Sequence, residues 1–574
     1  MVPIPSAIKK YPVFYTLLAI VLVGFILRVW NLTGPDMAFD DAHYSLRSIG
    51  YLDYVAAINR QSTPVTWFDE PQWWQSLSFH DAPPLVFGVQ WLFFQIFGDN
   101  LFTARLPFVL TGLMFIYAIF LLGKKIAGPE LGLIAAGALT VMNYAVWFSR
   151  IGWLDGFVAL WVALAIYFFL EAKEKPSHYL FWGATFGAGV LTKYTFLFMG
   201  PVFLIALLVW QRDALRQRFF YLGIAVILIL ILPLIIYNIM MLQSRGHPDA
   251  AISTLIGQTP HDFRGLERNV ETNFNVLEPM RHIFSDNFSR GLWVLTAVGL
   301  VACAWNLREK AGRRFYILVL LGALSALIML SVVGSADRYG AVLLPFIAIL
   351  VGVGILWLWQ RSSRGWRTVL VAFIAIIGIW EFVFMAQTQW LNKPIFNLKL
   401  LLAANRPIFA GYNKLENYVN DFYKTFAGVS NIVTYTQAPQ LAEYQKQRLL
   451  TISRRYPNKP IQDQLLVFDD RMRWFPAAWT FERRRLYDAA PIHSLTEFLK
   501  KFSTEGTDFY TRFGIKSATF IVAADKLIAH EYVIPSSREL GDFLRELESQ
   551  TAPIQEIHDY DGDVIFKIFL VPLG

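Results

Sequence analysis

Charged residues and cysteine are both scarce in this chain. Only 16% of its 574 residues are charged while 55% are hydrophobic, a composition outside the range of soluble globular proteins. The single cysteine, Cys303, excludes an intrachain disulfide. No repeats or low-complexity stretches are visible. We therefore expect a polytopic membrane protein whose external parts fold without disulfides.

Eleven apolar runs approach the roughly 20 residues that a transmembrane helix needs. The first, residues 11–30, follows Lys9 and Lys10 and precedes no small-residue cleavage motif. It therefore predicts a retained helix with a cytoplasmic N-terminus. The other predicted spans are residues 103–122, 131–148, 153–171, 179–195, 197–211, 218–242, 290–307, 314–334, 340–359 and 367–387.

Lysine and arginine are concentrated in every second loop between these spans. The loops rich in basic residues carry Lys124, Lys125, Lys173, Lys175, Arg212, Arg216, Arg218, Arg308, Lys310, Arg313, Arg314, Arg361, Arg364 and Arg367. The opposite short loops carry Arg150, Lys193 and Arg338. The positive-inside rule assigns the first set to the cytoplasm. The net charge of +8 is therefore mostly a topology signal, and nucleic-acid binding is not needed to explain it.

One further apolar run, residues 85–98, is too short to span a bilayer comfortably. If it crossed, every later basic loop would change sides, so we assign it to an interfacial or re-entrant helix on the outer surface. With eleven spans and a cytoplasmic N-terminus, the chain after Gln387 lies on the outer side of the membrane. The prediction is an integral protein of the plasma or bacterial inner membrane.

The predicted domain organisation follows from this topology. Residues 1–390 form a transmembrane module with external loops at 31–101 and 243–289, and residues 391–574 form a soluble extracytoplasmic α/β domain. Strand-like runs occur at residues 431–435, 465–468, 518–523 and 564–570. Helix-opening capping boxes are expected at Ser494 with Glu497 and at Ser536 with Glu539.

The predicted external loops contain a series of polar motifs. The first loop holds Phe39-Asp40-Asp41-Ala42-His43-Tyr44 and Phe79-His80-Asp81-Ala82-Pro83-Pro84-Leu85. Further landmarks follow at Phe97-Gly98, Arg105-Leu106-Pro107, Ser149-Arg150, Asp155, Gly187 to Lys193, Asp337-Arg338-Tyr339 and Leu344-Pro345. In these motifs and their order, residues 10–360 resemble the GT-C polytopic glycosyltransferases of the protein O-mannosyltransferase and lipid A aminoarabinose transferase group.

Two positions depart from the pattern of that group. The second acid of the first pair is Asp41, where the group usually has Glu. The residue before the first proline is Ala82, where His or Lys is usual. We expect His80 or Asp81 to substitute for that missing ligand from slightly further away.

The resemblance implies transfer of a sugar from a polyprenyl-phosphate carrier to a hydroxyl acceptor, with inversion at the anomeric carbon. The leaving group departs as a phosphate monoester, so it needs cationic stabilisation more than a general acid. Asp40 is the expected general base, and Asp41 is expected to orient it. The alternative is that both acids cap a surface helix that starts near Ala42.

Basic and acidic residues of the other outer loops complete the predicted site. Asp155 is expected to position the acceptor or to help hold a cation, or else to cap its own span. Lys193, Arg338, Tyr339 and Arg150 are the candidates for binding the carrier phosphate. The alternative for the basic residues is snorkelling to the interface.

A divalent metal cation is a further expectation. His80 and Asp81, with Asp40 and Asp155, offer the nitrogen and oxygen atoms that such an ion accepts. No tight spacing such as His-x-x-x-His specifies the site, and a hydrogen-bonded loop histidine explains His80 equally well.

Two other function classes fit the number of spans. A transporter or lipid flippase would place ionisable residues near the bilayer midplane, whereas the span interiors here carry almost no charge. A catalytically silent relative would use the tail to bind a glycan.

The expected partners of the enzyme are a polyprenyl-phosphate-linked donor, a hydroxyl acceptor on protein, lipid or envelope glycan, and the bilayer. The sequence specifies neither the sugar nor the acceptor.

Overall fold

The computed structural model describes residues 11–37, 39–53, 72–260, 281, 283–285, 287–309, 312–333, 337–393, 403, 406–426, 463–488, 490–528 and 538–573. They form two compact units. The first comprises residues 1–32 and 77–407, and the second comprises residues 33–76 and 408–574. The predicted first external loop is therefore divided, because its first part belongs to the same unit as the C-terminal residues.

The first unit is helical. Its described α-helices are Pro12–Val29, Leu85–Phe97, Leu101–Ala127, Pro129–Val141, Asn143–Phe148, Asp155–Glu171, His178–Thr192, Met199–Trp210, Arg218–Arg245, Ala250–Leu255, Arg290–Asn306, Arg313–Val333, Leu344–Arg361 and Arg364–Ala386. Each of the eleven predicted spans overlaps at least one of these helices. The α-helical class predicted from the apolar runs is confirmed, while the number of spans stays a prediction.

Six described helical segments are long and apolar enough to cross a membrane. They are Pro12–Val29, Leu101–Ala127, Arg218–Arg245, Arg313–Val333, Arg338–Arg361 and Arg364–Leu391. Large apolar side chains of the third segment, including Leu228 and Ile229, are exposed, as expected for a lipid-facing surface. Leu85–Phe97 is a separate helix of 13 residues, and its interfacial placement stays a prediction.

The run predicted as one span at 131–148 is two helices. Met142 adopts an extended conformation with ψ 115°, which interrupts the helical hydrogen-bond series. The break directs the side chain of Asn143 to other segments. Its amide nitrogen lies 3.3 Å from the carbonyl oxygen of Asn287, and its oxygen accepts from Gln389 at 2.9 Å.

Glycine allows two pairs of helices to approach closely. A Cβ atom on Gly183 would lie 2.2 Å from the carbonyl oxygen of Gly223, and one on Gly299 would lie 2.1 Å from that of Leu350. Close backbone approach at small residues is a common way for membrane helices to pack. Gly183 therefore joins helix His178–Thr192 to helix Arg218–Arg245.

The second unit contains a five-stranded sheet. Its described strands are β1 (Gln464–Phe468), β2 (Ile492–Ser494), β3 (Ser517–Ala523), β4 (Gln555–His558) and β5 (Val564–Pro572), in the spatial order β2-β1-β3-β5-β4. Strand β1 is parallel to β2 and β3, whereas β5 is antiparallel to β3 and β4. Its described helices are Asp40–Gly50, Tyr412–Phe426, Trp474–Ala477, Arg483–Asp488, Leu495–Glu505, Asp508–Thr511 and Arg538–Gln550.

Apolar residues cover both faces of this sheet. Leu415 and Val419 of helix Tyr412–Phe426 pack in one core with Phe468. Leu540 and Leu544 of helix Arg538–Gln550 pack in the other with Phe520. The alternation of inward side chains along β1 and β3 supplies both cores, as expected for a sheet covered on both sides.

Three of the four predicted strands and one of the two capping boxes coincide with described elements. The predicted strands at 465–468, 518–523 and 564–570 match β1, β3 and β5. Ser494 and Glu497 form the expected reciprocal capping box. The predicted strand at 431–435 and the Ser536 cap lie outside the described residues.

Candidate active site

Asp40 and Asp41 lie in the first turn of the helix Asp40–Gly50, here called the acidic helix. The carboxylate of Asp41 is buried and accepts hydrogen bonds from the backbone N–H groups of Phe39 and Ala42, both at 3.0 Å. Negative charge at a helix N-terminus is stabilised by the helix dipole. Asp41 therefore accepts from two backbone N–H groups at the start of the helix, and the general-base role of the half-buried Asp40 stays a prediction.

The acidic helix also carries an ionic contact that sequence reasoning did not find. Arg47 donates to Asp53 at 2.8 Å, with both side chains buried, and its other terminal nitrogen lies 3.1 Å from the His43 ring. The spacing of four between His43 and Arg47 places both on one helix face. That spacing was the available signal, but the partner Asp53 follows the helix and has no regular spacing from it.

In the first unit, four of the predicted site residues converge. The ammonium group of Lys193 lies 2.7 and 2.8 Å from the two carboxylate oxygens of Asp155. It also lies 4.5 Å from the ring centre of Tyr339, and the guanidinium carbon of Arg338 lies 5.3 Å from the same ring. We call these four residues the ionic cluster.

Local structure explains how the ionic cluster forms. Asp155 is the first residue of helix Asp155–Glu171, so its carboxylate lies at the positive end of that helix. Lys193 follows helix His178–Thr192 in an extended conformation, which ends the helix there. Arg338 and Tyr339 belong to the 3-10 helix Asp337–Leu343, just before helix Leu344–Arg361. Helix termini therefore supply all four residues.

The two cations of the ionic cluster differ in the chemistry of their charged groups. Asp155 cancels the charge of Lys193 through two short charge-assisted hydrogen bonds. Both Lys193 and Arg338 lie within cation–π distance of the Tyr339 ring. The planar guanidinium of Arg338 can bind a phosphate through two parallel hydrogen bonds, whereas the Lys193 ammonium acts as a point charge, so Arg338 is the better candidate for binding an added anion.

Arg150 contacts the end of helix Pro12–Val29. It is buried, and it donates to the carbonyl oxygens of Arg28 at 2.9 Å, Trp30 at 2.6 Å and Asn31 at 2.9 Å. These carbonyls end helix Pro12–Val29, where a cation is favourable. These contacts place Arg150 at a helix end, and its predicted role in binding the carrier phosphate stays a prediction.

A buried polar group next to the ionic cluster was missed by sequence reasoning. The Asp249 carboxylate accepts hydrogen bonds from the Tyr194 hydroxyl, from the Asn238 amide at 3.1 Å and from the Ile252 N–H at 2.8 Å. Burial, assisted by nearby Asp81, raises the pKa of Asp249. Tyr194 directly follows Lys193, which was the only sequence signal.

His80 and Asp81 lie in the segment before helix Leu85–Phe97. His80 is buried and its carbonyl oxygen accepts from the N–H of Ala250 at 2.7 Å, while Asp81 is half-buried. This backbone contact joins the two predicted external loops. The expected metal-ligand or substrate role of His80 and Asp81 stays a prediction.

Comparison with known proteins gives a partial family match. Residues 81–237 match the family described as dolichyl-phosphate-mannose-protein mannosyltransferase. The lipid A galacturonosyltransferase RgtD of Rhizobium johnstonii is 29% identical over 181 residues. That match spans 30% of this chain and 38% of the relative's length. Asp155 and Lys193 both lie within the segment that matches the family.

Solved structures resemble the chain over nearly its whole length. ArnT from Cupriavidus metallidurans in the apo state has a TM-score of 0.55 at 14% identity, with 99% of both chains covered. The same protein bound to undecaprenyl phosphate has a TM-score of 0.52 at 14% identity, with 98% of both chains covered. The apo oligosaccharyltransferase of Archaeoglobus fulgidus has a TM-score of 0.50 at 14% identity, covering 90% of this chain and 70% of its own. The chain is therefore an integral membrane protein with the GT-C glycosyltransferase fold, as its motifs predict.

Proposed function

We propose that this protein is a membrane glycosyltransferase that moves a sugar from a polyprenyl-phosphate carrier to a hydroxyl acceptor. The observation that carries the proposal is the ion pair between Lys193 and Asp155, which joins Tyr339 and Arg338 inside the unit that contains the family match. The likeness to ArnT supports the same assignment.

The proposed reaction is a single displacement with inversion. The acceptor oxygen forms a bond to the anomeric carbon as the bond from that carbon to the phosphate oxygen breaks. The acceptor proton passes to the carboxylate of Asp40, and the carrier leaves as a phosphate monoester. The negative charge that develops on this phosphate requires a cation. Arg338 is the proposed phosphate-binding cation because its planar guanidinium suits phosphate oxygens.

Asp155 has a positioning role in this scheme. Its carboxylate fixes the Lys193 ammonium through two hydrogen bonds, so the lysine is held in one orientation before the carrier arrives. Tyr339 limits the position of both cations because each lies near its ring. A preorganised charge stabilises a developing anion with little rearrangement during the reaction.

The orientation in the membrane belongs to the proposal as well. The distribution of basic loops favours a cytoplasmic N-terminus in a plasma or inner membrane, with the site and residues 391–574 on the opposite side. A divalent metal cation near His80 and Asp81 is proposed on the chemistry of those side chains alone.

The deciding experiment is transfer by the purified protein in lipid nanodiscs. Undecaprenyl-phosphate-linked mannose, galacturonic acid and aminoarabinose are the donor probes, and released undecaprenyl phosphate is the readout. Mass spectrometry of the cell envelope with and without the gene identifies the acceptor that loses a sugar. Transfer that persists unchanged in Asp40→Asn would contradict the mechanism. Movement of the carrier across a vesicle membrane, without transfer of the sugar, would instead support a flippase.

A further inference from the structure

We propose that residues 408–574 orient the acidic helix for catalysis, with Asp36, Asn413 and Tyr487 acting as positioning residues for Asp40. This inference rests on the proposed function, because Asp40 is its general base. It gives the C-terminal part of the chain a defined role in the chemical step. All contacts that carry it lie within the second unit.

The first contact is a reciprocal clasp before the acidic helix. The buried carboxylate of Asp36 accepts from the backbone N–H groups of Ala410 at 2.7 Å, Gly411 at 3.0 Å and Asn413 at 2.9 Å. In return, the side-chain amide of Asn413 lies 2.8 to 2.9 Å from the carbonyl oxygens of residues 33, 34 and 35. The segment that leads into Asp40 is thus held from both directions.

Gly411 makes this clasp sterically feasible. Its φ is +94°, a conformation that other residues rarely adopt. A Cβ atom at this position would also lie 2.2 Å from a methyl carbon of Ile565. The turn aims consecutive N–H groups at one carboxylate, the arrangement that binds anions in backbone nests. The clasp therefore needs Gly411 as well as Asp36.

The second contact holds the other end of the acidic helix. The buried hydroxyl of Tyr487 donates to the carbonyl oxygen of Leu46 at 2.5 Å. A Cβ atom on Gly50 would lie 2.6 Å from the Tyr487 ring, so glycine is what lets the ring pack against the last turn. Between the two ends, the His43 ring lies 5.7 Å from the ring of Trp474.

A helix held at both ends cannot rotate or slide freely. Asp40 is four residues after Asp36 and six before Leu46, so the direction of its carboxylate depends on both contacts. General-base catalysis is sensitive to small errors in such a direction, since misplacement of about 1 Å can cost up to about 100-fold in rate. Binding of the substrate by other residues does not depend on the direction of the Asp40 carboxylate in this way.

The matched test compares Tyr487→Phe with Tyr510→Phe in the full-length protein. Tyr510 is also fully buried in the second unit, and its hydroxyl lies 3.3 Å from the ring of His493, a residue of β2. Each variant loses one buried hydroxyl. We expect Tyr487→Phe to lower kcat about 5-fold, the effect of one hydrogen bond, with KM for the donor unchanged. Tyr510→Phe should change neither constant.

A second measurement does not depend on activity. Hydrogen exchange of the backbone amides of residues 40–50 should accelerate in Tyr487→Phe and in Asn413→Ala, but not in Tyr510→Phe. Asn413→Ala should also lower kcat, since it removes the donor side of the clasp. Unchanged exchange and unchanged kcat in both variants would overturn the inference.

The outcomes also separate this inference from the proposed function. If Asp40→Asn abolishes transfer while Tyr487→Phe and Asn413→Ala retain full kcat, the glycosyltransferase proposal stands and the positioning role fails. If Asp40→Asn retains full transfer, the general-base role itself fails, whatever the exchange data show. Faster exchange with unchanged kcat would make these contacts purely structural and would equally overturn the positioning role.

Discussion

The ammonium group of Lys193 donates to both carboxylate oxygens of Asp155, 38 residues earlier in the chain, at 2.7 and 2.8 Å. Both residues are buried, and each lies at the end of a helix. A buried ion pair is costly to desolvate, and removal of one partner leaves the other charge uncompensated. This relationship therefore couples the stability of the first unit to the proposed site.

Removal of the acid alone should destabilise the protein strongly. We expect Asp155→Ala to lower the free energy of unfolding by about 3 kcal/mol, because Lys193 is then buried without its carboxylate. The double variant Asp155→Leu with Lys193→Met should recover most of that stability while remaining inactive in transfer. Thermal unfolding in detergent, with the transfer assay, measures both effects. Recovery of transfer in the double variant would contradict the role of Lys193.

Arg338 should be the main determinant of carrier affinity. We expect Arg338→Ala to weaken binding of undecaprenyl phosphate at least about 10-fold, the effect of one charge-assisted contact of about 1.4 kcal/mol. Arg338→Lys should recover only part of it, since lysine lacks the bidentate fork. Arg364→Ala, an exposed arginine in a predicted cytoplasmic loop, is the control. Equal affinity for all three variants, measured by native mass spectrometry, would support snorkelling instead.

The two acids of the acidic helix should behave differently when substituted. Asp40→Asn should lower kcat by about 100-fold or more, because the base is lost. Asp41→Asn should have a smaller effect, since an amide oxygen can still accept from the N–H groups of Phe39 and Ala42. Asp41→Ala should cost about 1 kcal/mol of stability through loss of these two hydrogen bonds. Steady-state kinetics and thermal unfolding distinguish these outcomes, and equal losses in both Asn variants would argue against Asp40 as the base.

The second unit should lose stability in acid because of His493. Burial lowers the pKa of His493 to about 4, from the usual 6.5. The unfolded chain therefore binds more protons than the folded chain between these values, and stability falls as the pH drops from 6.5 to 4. The full loss is about 3 kcal/mol, and we expect His493→Asn to remove most of this pH dependence. Hydrogen exchange of β2 at several pH values measures it. The exposed His558 serves as the control. If His558→Asn removed the pH dependence of stability to the same extent, the assignment to His493 would be contradicted.

The single native cysteine permits a direct topology test. In a Cys303→Ser background, cysteines placed at Lys124 and Ser549 should react with a membrane-impermeant maleimide from opposite sides of the membrane. Both positions are exposed in the structure, so neither reaction is blocked by packing. Labelling of both from the same side would contradict the predicted orientation.

The lengths of the apolar runs were sufficient to predict many of the helices. The apolar runs predict helices such as Arg218–Arg245 because apolar length alone specifies a membrane-compatible helix. The strands near 465–468 and 518–523 were recognisable because β-branched and aromatic residues are bounded by turn residues. The break at Met142 was not, because the hydrogen bonds that Asn143 makes beside it involve Asn287 and Gln389, which lie far along the chain.

The sequence by itself determined the membrane class, the GT-C resemblance and the set of candidate residues, because composition, apolar length and motif order are local properties of the chain. Only the tertiary structure decided which candidates meet. It showed the ion pair between Lys193 and Asp155 and the contact of Arg150 with a carbonyl oxygen at the end of the first helix. It also grouped residues 33–53 with the C-terminal residues in one unit. Such contacts depend on how distant helix ends pack in three dimensions, and sequence spacing carries no direct record of that packing.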